Sequence, residues 1–516
     1  MLDKWLKGNI HSKIHLFGIC LLAAGLPFSK ALMSIGVIWG IANLLLEGKF
    51  KDYFFRIKSN KLVLLLLGVF ALHFIALIWT NNWDYALDDI RKKLPLFALP
   101  VALVAKPITE RKSIHLIFLV FLISLILCSV YNVGLYHSFW GDLRPGDYRG
   151  ISAFGSHIRF STLIIIGACI SFYFGIKSDK KHFQAIAITL VLWFLYYTYI
   201  SQVLSGVLSL IGAILMGYFY IIRKNKGLFY SSISIVLAIP LVLVLWFNSA
   251  TNQLPKKPKV LEYFTQDGND YQHELDKNDI ENGEYILLYY CDKELQVEWE
   301  KISDVGYYKA DKKGQALRKT LFRYMTSLHL RKDRRGFEKL SAKDINNIEN
   351  GIASVFLSDG GIESRLYEVE YQINNRVDPN GHSFLQRLEY WKTSFQIIAN
   401  NWFFGVGTGD IQDEFDKQYD INNSNLLPEN RHRAHNMFLT VWATFGLTGI
   451  LLFLAFLYRF LKENFQQQEW LALLIFGAIV ISFTIEDTLE TQTGVSLFAL
   501  FFGVFLAKKS ETKSPS

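Results

Sequence analysis

The sequence predicts an all-α polytopic membrane protein of about twelve transmembrane helices, with one large outer block. Three observations carry this. Hydrophobic residues make up 51% of the 516 positions and charged residues 19%, against about 25% charge in an ordinary soluble domain; mean hydropathy is positive at +0.21. The apolar residues gather in runs long enough for a helix to cross about 30 Å of hydrocarbon. The basic residues fall on every second connection between those runs, as the positive-inside rule requires.

The predicted spans are Ile14–Phe28, Ala31–Leu46, Leu62–Thr80, Leu94–Ala105, Ile114–Tyr136, Phe160–Ile176, Phe183–Ser201, Leu204–Ile222, Leu228–Phe247, Ala434–Tyr458, Trp470–Ile485 and Val495–Ala507. With the N-terminus inside, the inner connections carry Lys49, Lys51, Arg56, Lys58 and Lys61, then Lys106, Arg111 and Lys112, then Lys177, Lys180 and Lys181. Arg223, Lys224 and Lys226, then Arg459 and Lys462, then Lys508 and Lys509 continue the beat. An odd number of spans would break it, so both termini are expected in the cytoplasm. The start, MLDKWLKGNIHSK, leads into an apolar stretch with no A-x-A-like exit, so a retained anchor is expected rather than a cleaved leader.

The net charge of +8 is thereby explained by topology, without nucleic acid. Cys20, Cys128 and Cys169 lie in apolar runs and only Cys291 in a polar one, which excludes a disulfide framework and a cysteine metal cluster.

The expected organisation is 1–247 for the first nine spans, 248–433 for a large outer region, 434–507 for the last three spans and 508–516 for a cytoplasmic tail. Within the outer region, 284–358 reads as a small α/β insert. GEYILLYY and ELQVEWEKIS look β-rich, QALRKTLFRYMTSLHL looks helical, and SAKDINNIENGIAS has Ser341 as a helix N-cap. An interfacial helix is expected over 383–400, opened by a Ser383–Gln386 capping box. Phe384, Leu388, Trp391, Phe395 and Ile398 form its apolar stripe, with Arg387 on the border. The run Gly405, Gly407, Gly409 that follows permits a tight backbone path.

Some cations sit on the outer side, where topology does not require them. These are Arg91, Lys92 and Lys93; Arg144, Arg149 and Arg159 with His157; Arg387; and Arg431, His432, Arg433 and His435. Basic groups near helix ends at an outer leaflet suit an anionic ligand, and phosphate suits arginine forks. His435, at the mouth of the tenth span, is a candidate general base, because imidazole titrates near neutrality. His432 and His435 lack a carboxylate or cysteine partner for zinc, and neither metal nor cofactor is expected. No phosphate-binding GxxxxGK[ST] loop is present.

Three motifs resemble the O-antigen ligase family, whose relatives include O-antigen polymerases and protein O-oligosaccharyltransferases. They are the helix from Arg387 to Trp391 running into GVGTGD, AHNMFL with FGLTG carrying His435, and the outer loop SHIRFS carrying His157 and Arg159. The stretch TLFRYMTSLHLRKDRRGFEKLSAKDINNIENGIAS is similar to one in Bacteroidota members. The resemblance implies a GT-C-like fold in a bacterial inner membrane, with the large loop in the periplasm. It implies a metal-independent inverting transfer of a glycan from undecaprenyl pyrophosphate to a lipid A–core sugar. His435 would be the base and Arg387 would hold the pyrophosphate, with Arg159, His157, Arg433, Arg431, Arg91 and Trp391 lining the substrate. The chain departs from the family at SQVLSGVLSL, where many relatives carry an arginine in an SRG-like motif; Arg159 or Arg91 would substitute. Polymerase and protein-glycosylating relatives share the donor. A flippase would instead place ionisable residues mid-span, where these spans have almost none.

Overall fold

A computed structural model of the chain describes residues 10–141, 151–251, 258, 260–275, 279–358, 361–375 and 377–507. Arg144, Arg149, Lys508 and Lys509, the first nine residues and the tail lie outside the described residues. The chain divides into two compact units, Met1–Phe229 with Arg387–Ser516, and Tyr230–Gln386.

The first unit is helical. It contains α1 (Ile10–Gly25), α2 (Lys30–Glu47), α3 (Phe50–Ser59), α4 (Lys61–Ile75), α5 (Trp83–Ala105), α6 (Arg111–Tyr136), α7 (His157–Lys177), α8 (Lys181–Ser201) and α9 (Leu204–Ile222). α10 (Lys226–Thr251) follows. Local chemistry sets several ends: the Ser29 and Asn60 side chains accept from Leu32 N and Val63 N at the starts of α2 and α4, and Gly48 ends α2 in a left-handed conformation.

Among the described residues, seven helices are long and apolar enough to cross a membrane, and α1, the first part of α10, Trp470–Ser482 and Gln492–Ala507 are shorter apolar helices. The predicted fourth span lies inside α5. That helix begins well before it, because Asn82 caps it at Tyr85 N and its first half carries the polar run through Lys93.

The second unit corrects the expected α/β insert. Its only paired strands among the described residues are β1 (Ile280–Glu281) and β2 (Glu284–Tyr285). The rest is α11 (Asp292–Glu300), α12 (Leu317–Ser327), α13 (Arg334–Phe337), α14 (Ala342–Glu349) and α15 (Gly361–Asn374). ELQVEWEKIS is helix because Leu295 and Trp299, four apart, are both fully buried while Val297 between them is 52% exposed. Asp292 and Glu294 in the first turn favour that helix start electrostatically. Ser341 caps α14 in a reciprocal capping box with Asp344. Trp299, Tyr307, Leu321, Phe322 and Met325 form this unit's own core.

The chain returns to the first unit through α16 (Ser383–Asn400) and α17 (Ile411–Ile421), then α18 (Met437–Gln467), α19 (Trp470–Ser482) and α20 (Gln492–Ala507). The stripe expected on α16 faces a core only through Trp391 and Ile398. Phe384, Leu388 and Phe395 are exposed, and the buried face is Tyr390, Thr393, Ser394, Ile397 and Ile398. An apolar outer stripe on a helix beside membrane spans suits an interfacial location.

Candidate active site

α16, α17 and the connection between α19 and α20 converge on residues 430–436. Two buried tyrosine hydroxyls fix that segment. Tyr390 of α16 donates to the Asn430 carbonyl oxygen at 2.7 Å, and Tyr419 of α17 donates to that of His432 at 2.6 Å. The next residues turn sharply. His435 has φ 45°, a left-handed conformation that a bulky residue adopts only when its surroundings hold it there. Its N–H donates to Asp487 Oδ2 at 3.0 Å, and Asn436 then caps α18 by accepting from Phe438 N and Leu439 N. Thr440 Oγ1 donates to the other Asp487 oxygen at 2.7 Å.

The glycine run after α16 is a packing device. Gly405 has φ +72°, and a Cβ there would strike the backbone of Thr444. Val406 N and Gly407 N donate to the carbonyl oxygens of Ala443 and Thr444. α18 kinks opposite, at Gly446 (φ 64°, ψ −158°), where a Cβ would strike the Phe403 carbonyl. Asp410 closes the run by accepting from the backbone N–H groups of Asn81 and Asn82.

Three carboxylates between α19 and α20 organise the site: Glu486, Asp487 and Glu490, all buried. Glu486 Oε1 accepts from Arg387 Nη2 at 3.1 Å, and its Oε2 lies 3.5 Å from His435 Nδ1, an electrostatic contact without a formed hydrogen bond. Burial alone would push the Glu486 carboxyl up, but His435, Arg387 and Arg159 together hold it below the usual carboxylate range. Arg387 Nε also donates to the Ile485 carbonyl oxygen at 3.3 Å. Burial, with His435 and Arg433 nearby, pushes the His432 imidazole down. The ring of Tyr390 packs 5.4 Å from that of His435.

Arg433 donates to Glu490 Oε2 at 2.6 Å, and the buried Lys93 ammonium bridges Glu490 and Asp89 at 2.8 Å each. Burial would raise the Glu490 carboxyl, but Arg433 and Lys93 hold it far below its ordinary range. This chain of alternating charge ties the His435 segment to α5.

The predicted residues therefore separate. His435, Arg387 and Arg159 share the field of Glu486, and Arg159 Nε is buried with no hydrogen-bond partner among the described residues. His157 is the first residue of α7, two positions before Arg159. Trp391 packs against the Tyr390 core with its Nε1 buried and unpaired. Arg433 is engaged by Glu490, Arg431 by Asp420 at 2.8 Å, and Arg91 by Asp88 on an exposed turn. Glu486, Asp487, Glu490 and Thr440 were not anticipated. The signal for the acids was present: three carboxylates in one short connection between apolar spans are costly unless they have a task. Among the described residues, no group of three or more His, Cys, Asp or Glu side chains is placed to hold a metal ion.

An imidazole facing a buried carboxylate whose other oxygen holds the Arg387 guanidinium, in a protein of many apolar helices, defines a multi-pass membrane protein with a charged site beside its helix ends. Residues 350–454 match the family model described as Wzy_C, O-antigen ligase, so this segment of the chain is similar to that family. Members of this family are glycan-transferring membrane enzymes. The matched segment includes Arg387, Trp391, Arg431, Arg433 and His435, whereas Arg159 and the carboxylate connection lie outside it. No curated relative matches the chain.

Proposed function

We propose that this protein transfers a glycan from undecaprenyl pyrophosphate to an acceptor hydroxyl, most specifically O-antigen to lipid A–core, at the periplasmic face of a bacterial inner membrane. The expected twelve spans, with both termini in the cytoplasm, would put the site on that face. The observation that carries the reading is the placement of His435, Arg387 and Arg159 around one buried carboxylate.

A carboxylate opposite Nδ1 favours the Nδ1–H tautomer and leaves Nε2 to accept a proton. The acceptor oxygen bonds to the anomeric carbon as the carbon–oxygen bond to pyrophosphate breaks, and the hydroxyl proton passes to His435 Nε2. A single displacement of this kind inverts the anomeric centre. Arg387 and Arg159 take up the charge that develops on the departing pyrophosphate, an effect worth roughly 2.7–4 kcal/mol per preorganised donor by analogy with oxyanion holes. Arg159 Nε, unpaired among the described residues, suits it to replace the arginine missing from SQVLSGVLSL. Arg433 and Lys93, already paired, position the His435 segment.

The same site would serve an O-antigen polymerase or a protein O-oligosaccharyltransferase, which differ only in acceptor. Supplying the purified protein with a lipid-linked donor and either lipid A–core, a second donor molecule or a serine-containing peptide tests the assignment. Product on lipid A–core alone supports ligation, and donor consumed only with another acceptor reassigns it. A lack of transfer to any of them refutes the enzyme.

A further inference from the structure

The second unit contains a cavity of about 270 Å³ whose lining includes Glu284, Tyr285, Tyr289, His329, Arg331 and Lys332. Two of these, Tyr289 (φ 54°) and His329 (φ 57°), take left-handed backbone conformations. Bulky residues keep such conformations only where their surroundings hold them, as around a bound ligand.

The charges around the cavity are unevenly satisfied. Arg331 forks onto Glu262 at 2.6 and 2.7 Å and lies over the Tyr289 ring at 4.6 Å. His329 Nδ1 is 2.9 Å from Glu284 Oε1, and its Nε2 is 3.0 Å from the Asn282 amide. Lys332 differs. It is 2% exposed, its ammonium donates one hydrogen bond, to the Leu288 carbonyl oxygen at 3.0 Å, and it forms no ion pair among the described residues. A buried ammonium is ordinarily matched by an anion.

We propose that this cavity binds an acidic sugar residue. The carboxylate of the sugar pairs with the Lys332 ammonium, the Glu284–His329 pair takes ring hydroxyls, and Tyr285 and Tyr289 wall the apolar face of the ring. The saccharide part rests on the glycan-transfer reading above; the anion site rests on Lys332 alone. Burial pushes the Lys332 ammonium down to about 8, against the Glu284 and Asp333 carboxylates, which raise it. The cation, and with it the affinity, is therefore lost as pH rises through that value.

The test titrates the purified full-length protein with glucuronate, glucose and inorganic phosphate, observed by saturation-transfer NMR and calorimetry. Glucuronate should bind about tenfold or more tightly than glucose, the scale of one charge-assisted hydrogen bond. Lys332→Met should erase that preference. Equal binding of the two sugars, a preference that survives in Lys332→Met, or binding of phosphate without glucuronate overturns the proposal. Should the variant fail to fold, the pH series on the unaltered protein decides: affinity for glucuronate that does not weaken above about pH 8 removes Lys332 from the site. Transfer activity measured in the same preparation keeps the two readings apart, since a protein that binds glucuronate but transfers nothing refutes the enzyme and leaves the cavity standing.

Discussion

Glu486 presents Oε2 to His435 Nδ1 at 3.5 Å while its other carboxylate oxygen accepts from Arg387 at 3.1 Å. One buried acid thus stands between the proposed base and the proposed phosphate ligand, and it couples their positions. Glu486→Gln keeps the shape and removes the charge that selects the imidazole tautomer. Turnover should fall by roughly 10²-fold or more, with donor affinity little changed. A variant as active as the original would reduce Glu486 to a packing residue.

Arg387 separates geometry from charge. Arg387→Ala should abolish transfer while the protein still inserts and accumulates. Arg387→Lys should restore little, because an ammonium cannot reproduce the two parallel bonds of the guanidinium fork. Full activity in the lysine variant would mean that only a positive charge is needed there.

Much of this was legible in the sequence, and the misses have physical causes. Apolar length located helices well, since a span must satisfy every backbone group internally. α11 was misread because Leu295, Val297 and Trp299 alternate like a strand while Leu295 and Trp299 also share a helical face. On α16, apolar residues marked the outward face, the reverse of the rule for a soluble helix, because its surroundings differ. Arg387 and His435 stand out in the sequence as cations that topology does not require. Glu486, Asp487 and Glu490 were overlooked because a search for unexplained positive charge passes over the acids that pair with it. Arg433 and Lys93 consequently looked available for a ligand, whereas Glu490 holds both.

That pairing makes Glu490 a stability residue. Glu490→Gln leaves Arg433 and Lys93 buried with one negative charge fewer, and breaking a buried pair costs about 3–5 kcal/mol. The thermal unfolding temperature in detergent should drop clearly. The native carboxyl is held far below its ordinary range, so its contribution is present above the ordinary carboxylate pKa and is lost only as pH falls through the depressed value. Mild acidification should leave it intact.

The chemistry requires the site to face outward. Reporter fusions at Gly48, Lys180 and Ser510 should report cytoplasm, and those at Trp140 and Asn346 periplasm. A cytoplasmic signal at Asn346 would place the large loop in the wrong compartment for a periplasmic transfer.

His435 is where the catalytic and structural roles diverge most. As the base, it meets only the acceptor hydroxyl while Arg387 and Arg159 grip the donor. His435→Ala should then lower turnover by roughly 10²–10⁴-fold and leave donor affinity largely intact. If the imidazole instead bound pyrophosphate as a cation, the alanine variant would lose donor affinity and the native rate would rise on acidification. If it only supported the turn before α18, neither quantity would move more than a few fold. Single-turnover rate and donor binding measured from about pH 8 down to about pH 5 distinguish the three. Glu486 stays ionised through that interval, because its carboxyl lies below the usual range and its charge is lost only at lower pH. A rate that declines on mild acidification therefore reports protonation of the imidazole, since only the neutral ring can take the hydroxyl proton. Glu486→Gln should lower the maximum of that profile, because an uncharged amide facing Nδ1 no longer selects the tautomer that leaves Nε2 free. An undiminished maximum in this variant would remove the carboxylate from the role of orienting the base.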